Sequence, residues 1–139
     1  MNRTLELAIS TGSFHPKTTE QSIERISMLG FTSIELTPQG SEVGYDFHRR
    51  VNIGFFKRLR RIVQDYDLVV CSVHSPFLQA IDVFSSKARM GILRKSLEIT
   101  ALFGGNELVL HPYHLFLSYE EATSFFFTKY AKHCEFSGA

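Results

Sequence analysis

The sequence predicts an α/β fold with a parallel sheet, and three observations carry that prediction. Apolar runs of strand length alternate with amphipathic stretches of helix length along the 139 residues, in the order βαβαβαβα. Turn residues separate these runs. Hydrophobic residues make up 44% of the chain, which is enough for the core of a single domain spanning 1–139. A strand, a crossover helix and a following strand give parallel pairing.

The first βα unit is a strand at 5–9 and a helix that begins at a capping box. The strand ends at Ser10-Thr11-Gly12. Thr18 and Gln21 are three residues apart. At this spacing the side chain of each can accept a hydrogen bond from the backbone N–H of the other. Apolar residues then recur at helical spacing up to Gly30, which we expect to end the helix.

The second unit is a strand at 33–37, a long polar loop at 38–51 and a helix at 52–66. In the strand, Glu35 alternates with Ile34 and Leu36, so those two apolar residues are expected to face the helices. The helix has one apolar stripe: Phe55, Phe56, Leu59, Ile62, Val63 and Tyr66. Its basic cluster, which we interpret as a solvated face, is Lys57, Arg58, Arg60 and Arg61.

The third and fourth units repeat the pattern. The run 68–74 is apolar on both faces, as expected for a strand covered on both sides, and the loop 75–85 follows it. A helix then begins at Ser86 and ends at Gly104-Gly105. The last unit is a strand at 107–111 and a helix that begins at the capping box of Ser118 and Glu121.

Charge and cysteine content exclude several classes of protein. The net charge of +1 argues against binding of nucleic acid or of an anionic membrane by bulk charge. Cys71 and Cys134 form no CxxC motif, which predicts a reducing, cytoplasmic location. The sequence contains no apolar run of membrane-spanning length and no signal-peptide pattern.

Polar residues at the ends of the strands are the candidates for a site, because ligands of parallel α/β proteins bind at that edge. Ser10 and Thr11 follow the first strand, Glu35 lies in the second, and His74 and His111 end the third and fourth. Alternation predicts that His74 shares a face with Ser72 and Val70, and that His111 shares one with Val109 and Glu107.

Two histidines at the ends of neighbouring strands predict a shared metal ion or anionic group. Neutral imidazole is a common ligand of zinc and of other transition metals, but His74 and His111 alone do not complete a site. A glutamate in an apolar strand is costly to bury unless it is paired, which makes Glu35 a candidate for function. Tyr113 and His114 are candidates to line the same binding site at the ends of the strands.

Two architectures fit this element order: a small doubly wound sandwich and a segment of a (β/α)₈ barrel. The strands begin about 30 to 40 residues apart, close to the repeat of the barrel. The GxGxxG, GK[ST] and GxSxG motifs that accompany many doubly wound folds are missing from the sequence.

Three short segments, in order, resemble the xylose isomerase-like TIM barrels. They are 29–36, which includes Leu29-Gly30-Phe31 and Ile34-Glu35-Leu36, then Val73-His74-Ser75-Pro76, and then Leu110-His111-Pro112. The resemblance implies a parallel (βα)₄ half of a TIM barrel that is completed by oligomerisation or by rearrangement. The completing partner would be a second copy or a missing C-terminal half.

The resemblance also implies two chemistries. One is isomerisation or epimerisation of a sugar or sugar phosphate, assisted by a divalent metal such as Mn²⁺ or Mg²⁺. The other is phosphodiester cleavage at abasic DNA by a zinc cluster, with His74 and His111 as metal ligands. For the first, the expected substrate-binding residues are Glu35, Ser75 and His114.

The sequence has no counterpart of the family's metal-binding glutamate, aspartate and histidine residues in strands five to eight. We therefore expect the chain to be inactive alone. A third hypothesis, from a different class, is a non-catalytic half-barrel that acts as an assembly subunit.

Overall fold

The computed structural model describes residues 7–38, 42, 51–75, 86–105 and 107–110, and for 86–89 it describes the backbone. The chain divides into two units, Met1–Val109 and Leu110–Ala139, and the elements below belong to the first. The expected single domain over the whole chain stays a prediction.

The described part contains four strands and three α-helices in the predicted alternating order. The strands are β1 (Ala8–Ser10), β2 (Ser33–Leu36), β3 (Val69–His74) and β4 (Glu107–Val109). The helices are α1 (Thr19–Met28), α2 (Ile53–Asp65) and α3 (Ser86–Leu102), and a 3₁₀ turn at Thr11–Phe14 follows β1. The helix predicted from Ser118 onwards lies outside the described residues.

The four strands form one parallel sheet in the order β1-β2-β3-β4. Each strand therefore pairs with its neighbour in the chain, as repeated βα units with crossover helices require. One row of partners crosses the whole sheet: Ser10 lies opposite Glu35, Glu35 opposite Ser72, and Ser72 opposite Glu107. The predicted parallel α/β sheet of four strands, with helices in the connections, is confirmed.

The helix ends follow the signals in the sequence. Thr18 is the N-cap of α1: its Oγ1 accepts from the Gln21 N–H at 3.2 Å, and its own N–H donates to Gln21 Oε1 at 3.1 Å. Gly30 has a φ of +81° just after α1, and Gly104 has a φ of +70° just after α3. Only glycine adopts that conformation without strain, so both predicted helix ends are confirmed.

A second contact at the start of α1 comes from far along the chain. The Glu42 carboxylate accepts from the Thr19 N–H at 2.9 Å and from the Thr19 hydroxyl at 2.5 Å. The first amides of a helix have no partner within the helix, and negative charge is favoured there. The Glu42 carboxylate is therefore held at the N-terminus of α1.

The core lies between the helices and one face of the sheet. Ile34 and Leu36 of β2 are fully buried there, as alternation around Glu35 predicted. From α1 and α2, the side chains of Ile23, Ile26, Phe56 and Leu59 are also fully buried. Burial of this apolar surface is the main favourable contribution to folding.

One prediction about β3 is wrong because the strand contains a bulge. Ile34 pairs with Val70 but Glu35 pairs with Ser72, so Cys71 is an extra residue relative to β2. Val70 therefore shares the helix side with Ile34 and is 6% exposed, instead of lying beside Ser72 and His74. The face of β3 opposite the helices is uncovered only at the start of the strand, where Val69 is 59% exposed; further along, Ser72 and His74 are 7% and 8% exposed. Cys71 at the bulge is exposed.

Within the described residues, no helix is both long enough and apolar enough to cross a membrane.

Candidate functional site

The face of the sheet opposite the helices carries mostly polar side chains towards the C-terminal ends of the strands, together with Val109 of β4. We call it the polar face and define it by six residues: Ser10, Glu35, Thr37, Ser72, His74 and Glu107. The row of partners that crosses the sheet consists of Ser10, Glu35, Ser72 and Glu107. Thr37 and His74 each lie two residues after a member of that row, so alternation places them on the same face. It lies towards the C-terminal ends of the strands, where parallel α/β proteins bind ligands.

Glu35 lies at the middle of the polar face and is partly exposed. Its carboxylate accepts from the Thr37 hydroxyl at 3.3 Å and from the Ser72 hydroxyl at 3.5 Å. Both hydrogen bonds are long. They orient the Glu35 carboxylate and leave its oxygens able to accept further hydrogen bonds. Glu35 is thus a positioned carboxylate that water or a ligand can reach.

Thr37 links this carboxylate to the turn that follows β1. Its hydroxyl lies 2.8 Å from the Ser10 hydroxyl. Its backbone N–H donates to Thr11 Oγ1 at 2.8 Å, and Thr11 Oγ1 donates to the Thr37 carbonyl at 3.2 Å. Thr11 is fully buried, so these bonds are shielded from solvent. They fix the end of β2 to the start of the 3₁₀ turn.

Gly12 lies at the point where the turn passes closest to β2. A Cβ atom at this position would lie 3.1 Å from Thr37 Cγ2 and 3.2 Å from Thr37 Cβ. The hydroxyls of Ser10 and Thr11 thus form hydrogen bonds to Thr37, and Ser10 also accepts from the Gly12 N–H of the turn. Gly12 is small enough to let the backbone of the turn approach Thr37.

His74 ends β3 and is 8% exposed. Its Nδ1 lies 2.8 Å from the carbonyl oxygen of Ser75. Because a carbonyl oxygen can only accept, Nδ1 carries a proton and donates it to the Ser75 carbonyl. This arrangement is the one that commonly orients a metal-binding imidazole, and it fits the predicted ligand role of His74.

Ser75 lies on the helix side of the sheet and is 3% exposed. Its hydroxyl accepts from Ser96 of α3 at 3.1 Å, and its N–H donates to the Val109 carbonyl at 3.0 Å. These bonds connect the end of β3 to α3 and to β4. The predicted contact of Ser75 with a substrate stays a prediction.

Glu107 completes the row on the polar face. Its side chain is exposed, and it makes no hydrogen bond or ion pair within the described part of the chain. It is separated from Glu35 by Ser72 of the intervening strand. Two carboxylates are therefore presented on one face, one held by hydroxyls and one exposed.

The remaining predicted site residues, His111 and His114, lie outside the described residues, as does Tyr113. Among the described residues, no group of three or more His, Cys, Asp and Glu side chains is arranged to hold a metal ion. The structure thus places His74 on the polar face with Glu35, while the pairing of His74 with His111 stays a prediction.

The basic cluster of α2 lies on the exposed surface of that helix, away from the core residues Phe56 and Leu59. Arg58 Nε lies 2.6 Å from Glu20 Oε1 of α1, and its guanidinium lies over the Phe55 ring. The interpretation of this cluster as a solvated face agrees with these contacts.

Sequence reasoning did not select Glu107 or Glu42 as important residues. Glu107 carried a usable signal, because it is a carboxylate within a strand, as Glu35 is. Glu42 carried none, since its bond to Thr19 joins two residues that no periodicity relates.

No protein-family model and no curated protein matches the chain. Among solved structures, it is similar to the "Crystal structure of a GH5_18 from Bifidobacterium longum subsp. infantis", with 12% identity and a TM-score of 0.50. The match covers 77% of this chain and 33% of that one, so the chain spans about a third of the solved structure's length. That structure is a TIM barrel, and the likeness supports this fold rather than the xylose isomerase-like family in particular. The chain therefore has the fold of a (βα)₄ half of a TIM barrel.

Proposed function

We propose that the polar face binds a sugar or sugar phosphate, as half of an isomerase- or epimerase-like barrel. The observation that carries this proposal is the Glu35 carboxylate, held by the Thr37 and Ser72 hydroxyls at the ligand-binding edge of the sheet. Sugars present many hydroxyl groups that both donate and accept. A carboxylate flanked by hydroxyls offers the matching acceptors and donors.

The proposed reaction is metal-dependent aldose–ketose isomerisation or epimerisation. A divalent ion (Mn²⁺, Mg²⁺ or Zn²⁺) would polarise a sugar oxygen. His74, whose ring is oriented by the contact of Nδ1 with the Ser75 carbonyl, is the described residue that we assign to hold such an ion. Glu35 would bind and orient sugar hydroxyls. The reaction itself is expected of a full barrel, because barrel active sites draw residues from several strands.

The test is a titration of ¹⁵N-labelled protein with D-xylose, followed by amide NMR. We expect shifts at Glu35, Ser72 and their neighbours. Glu35→Gln should raise the Kd by at least about tenfold, because a hydrogen bond to a charged group contributes about 1.5–3 kcal/mol. Glu98→Gln on α3 is the matched control, since it removes one carboxylate away from the sheet. Shifts confined to the helices, or an equal loss in both variants, would refute the proposal.

A second candidate is assembly into an oligomer, and an exposed apolar side chain at the start of β3 favours it. Val69 is 59% exposed, and because it pairs with Ser33 it lies on the face of the sheet opposite the helices. In a closed barrel, interior side chains from opposite strands fill this region. We propose that a second copy of this chain covers it. Light scattering should then give twice the chain mass, and Val69→Lys should give the mass of one chain. A single-chain mass for the unmodified protein would exclude this assembly.

The endonuclease hypothesis has less support from the described residues. Its basic groove would need cations beside the strand ends, whereas the basic cluster of α2 is exposed on a helix and Arg58 is paired with Glu20.

A further inference from the structure

We infer that Glu35 binds a pair of sugar hydroxyls on neighbouring carbon atoms, one on each carboxylate oxygen, and that Thr37 positions the carboxylate to do so. This inference rests on the proposed function and narrows its substrate class to sugars with such an adjacent pair. The observations that carry it are the partners of the two carboxylate oxygens and the direction of the hydrogen bonds that reach them.

The two oxygens of Glu35 each have one hydroxyl partner. Oε1 accepts from Thr37 at 3.3 Å, and Oε2 accepts from Ser72 at 3.5 Å. Within the described part of the chain, this carboxylate makes no other hydrogen bond. A carboxylate has about four lone-pair positions, two on each oxygen. One position therefore stays open on each oxygen, and because Glu35 is partly exposed a ligand can reach the carboxylate.

Two open acceptors side by side match two donors that are also side by side. Carboxylates bind the two N–H groups of an arginine in this way, one on each oxygen. Hydroxyls on neighbouring carbons of a pyranose ring lie close enough together to do the same. Equatorial hydroxyls separated by a further carbon are too far apart to reach both oxygens of one carboxylate. The open positions of Glu35 therefore favour an adjacent pair over two isolated hydroxyls.

The Thr37 hydroxyl has a single proton, and the contacts around it fix where that proton points. Thr37 donates it to Glu35 Oε1, so the Ser10 hydroxyl, 2.8 Å away, is the donor in the contact between Ser10 and Thr37. Ser10 Oγ in turn accepts from the Gly12 N–H at 3.3 Å. The reverse order would leave the contact with Oε1 without a proton. The hydrogen bonds therefore run in one direction, from the backbone of the turn to the carboxylate.

The backbone of Thr37 is held as well. The buried Thr11 hydroxyl accepts from the Thr37 N–H and donates to the Thr37 carbonyl. Thr37 is thus fixed both at its main chain and at its hydroxyl, and its proton stays directed at Glu35. Because Thr37 acts on the ligand through Glu35, it is a positioning residue.

The experiment uses methyl β-D-xylopyranoside, a ring with three adjacent hydroxyls, and its 2-deoxy, 3-deoxy and 4-deoxy derivatives. The 3-deoxy compound has no adjacent pair, whereas the other two derivatives keep one pair and have the same number of hydroxyls. Binding to the full chain is measured by amide NMR in metal-free buffer and again with Mg²⁺, because a divalent ion can also bind adjacent hydroxyls. In both buffers, we expect the 3-deoxy compound to bind at least about tenfold more weakly than the better of the other two. The reason is that it loses one hydrogen bond to a charged group.

Variants of the chain assign the preference for an adjacent pair to its residues. Glu35→Ala removes both acceptor oxygens, so the preference should disappear. Thr37→Val keeps the shape of the side chain but removes the proton donor, and the preference should fall about threefold. Thr37→Ser keeps the hydroxyl and should retain the full preference. The matched control is Thr100→Val, which removes a threonine hydroxyl that donates to the Ser96 carbonyl within α3, and it should leave the preference unchanged.

The inference would be overturned, with the proposed function left standing, by equal binding of the three deoxy compounds or by a preference that persists in Glu35→Ala. A preference that appears only with Mg²⁺ would assign the adjacent pair to the ion and would overturn it too. Equal effects of Thr37→Val and Thr100→Val would refute the positioning role of Thr37. Failure of the parent xyloside to shift the amides of the polar face in either buffer would refute the proposed function and this inference with it.

Discussion

The contact between Glu42 and Thr19 gives the sharpest prediction about stability. Replacing Glu42 with Ala removes both bonds, at 2.9 Å to the Thr19 N–H and at 2.5 Å to its hydroxyl. Thr19 is fully buried, so water cannot easily replace the lost acceptor. Glu42 and Thr19 are 23 residues apart in the sequence, and the effect therefore measures a long-range contact between Glu42 and α1.

The expected loss follows from the groups involved. A hydrogen bond to a charged group contributes about 1.5–3 kcal/mol, and an unsatisfied buried donor costs about 1–3 kcal/mol. A carboxylate at a helix N-terminus adds about 0.3–1 kcal/mol. Allowing for rehydration of the freed groups, we expect Glu42→Ala to lower the free energy of unfolding by about 2–3 kcal/mol. Glu42→Gln keeps an acceptor but loses the charge, so it should cost about 1 kcal/mol.

Urea unfolding monitored by circular dichroism measures these changes. At a typical slope of about 2 kcal/mol per M, Glu42→Ala should move the midpoint down by about 1 M. Thr19→Val removes only the hydroxyl donor. The double variant Glu42→Ala/Thr19→Val should show a coupling free energy of about 1 kcal/mol or more between the two substitutions, as expected for residues in contact. The matched control is Glu20→Ala, an exposed carboxylate of the same helix paired with Arg58, which should cost less than about 1 kcal/mol.

Two results would refute this reasoning. One is a loss below about 0.5 kcal/mol for Glu42→Ala, the size of an ordinary surface substitution. The other is simple additivity of Glu42→Ala and Thr19→Val, which would mean that the two side chains do not interact in solution.

Three further predictions concern the core, the helix ends and the metal. Phe56→Ala should lower the free energy of unfolding by about 3–5 kcal/mol in the same urea assay, because the ring is fully buried and its loss leaves a cavity. A loss below about 1 kcal/mol would contradict the burial of Phe56 in the core. Gly30→Ala should lower the free energy of unfolding by about 1–2 kcal/mol, because Gly30 has a φ of +81°. Gly54→Ala in α2 should be neutral or stabilising. Equal effects of the two substitutions would contradict the backbone conformation assigned to Gly30. The His74→Ala/His111→Ala double variant should lose Zn²⁺ or Mn²⁺ binding measured by titration calorimetry. Unchanged binding in that variant would exclude these imidazoles as ligands.

The sequence predicts local features well because their physical causes are local. The capping box of Thr18 and Gln21 and the stop at Gly30 depend on residues a few positions apart, and both lie where predicted. The orientation of Glu35 followed from simple alternation with Ile34 and Leu36. The parallel order of the strands followed from the length of the connecting helices.

Features that depend on pairing between strands were not predictable in this way. Alternation placed Val70 with His74, but the extra residue at Cys71 reverses the phase before Ser72. A bulge leaves no mark in the hydrophobic pattern, since Val70 and Val73 are apolar in either phase. The bond from the Ser72 hydroxyl to Glu35 was missed for the same reason, because Ser72 lies opposite Glu35 only in the shifted register.

The sequential order of the sheet has a consequence for how the protein is made. Paired residues of β1 and β2, β2 and β3, and β3 and β4 are separated by 25, 36 and 35 residues respectively, for example Ala8 and Ser33, Ser33 and Val69, Ser72 and Glu107. The entropy cost of closing a loop rises slowly with its length, so the three closures cost similar amounts. Each strand after β1 finds the preceding strand, with which it pairs, already synthesised when it leaves the ribosome. The sheet can therefore grow in the direction of translation, one βα unit at a time.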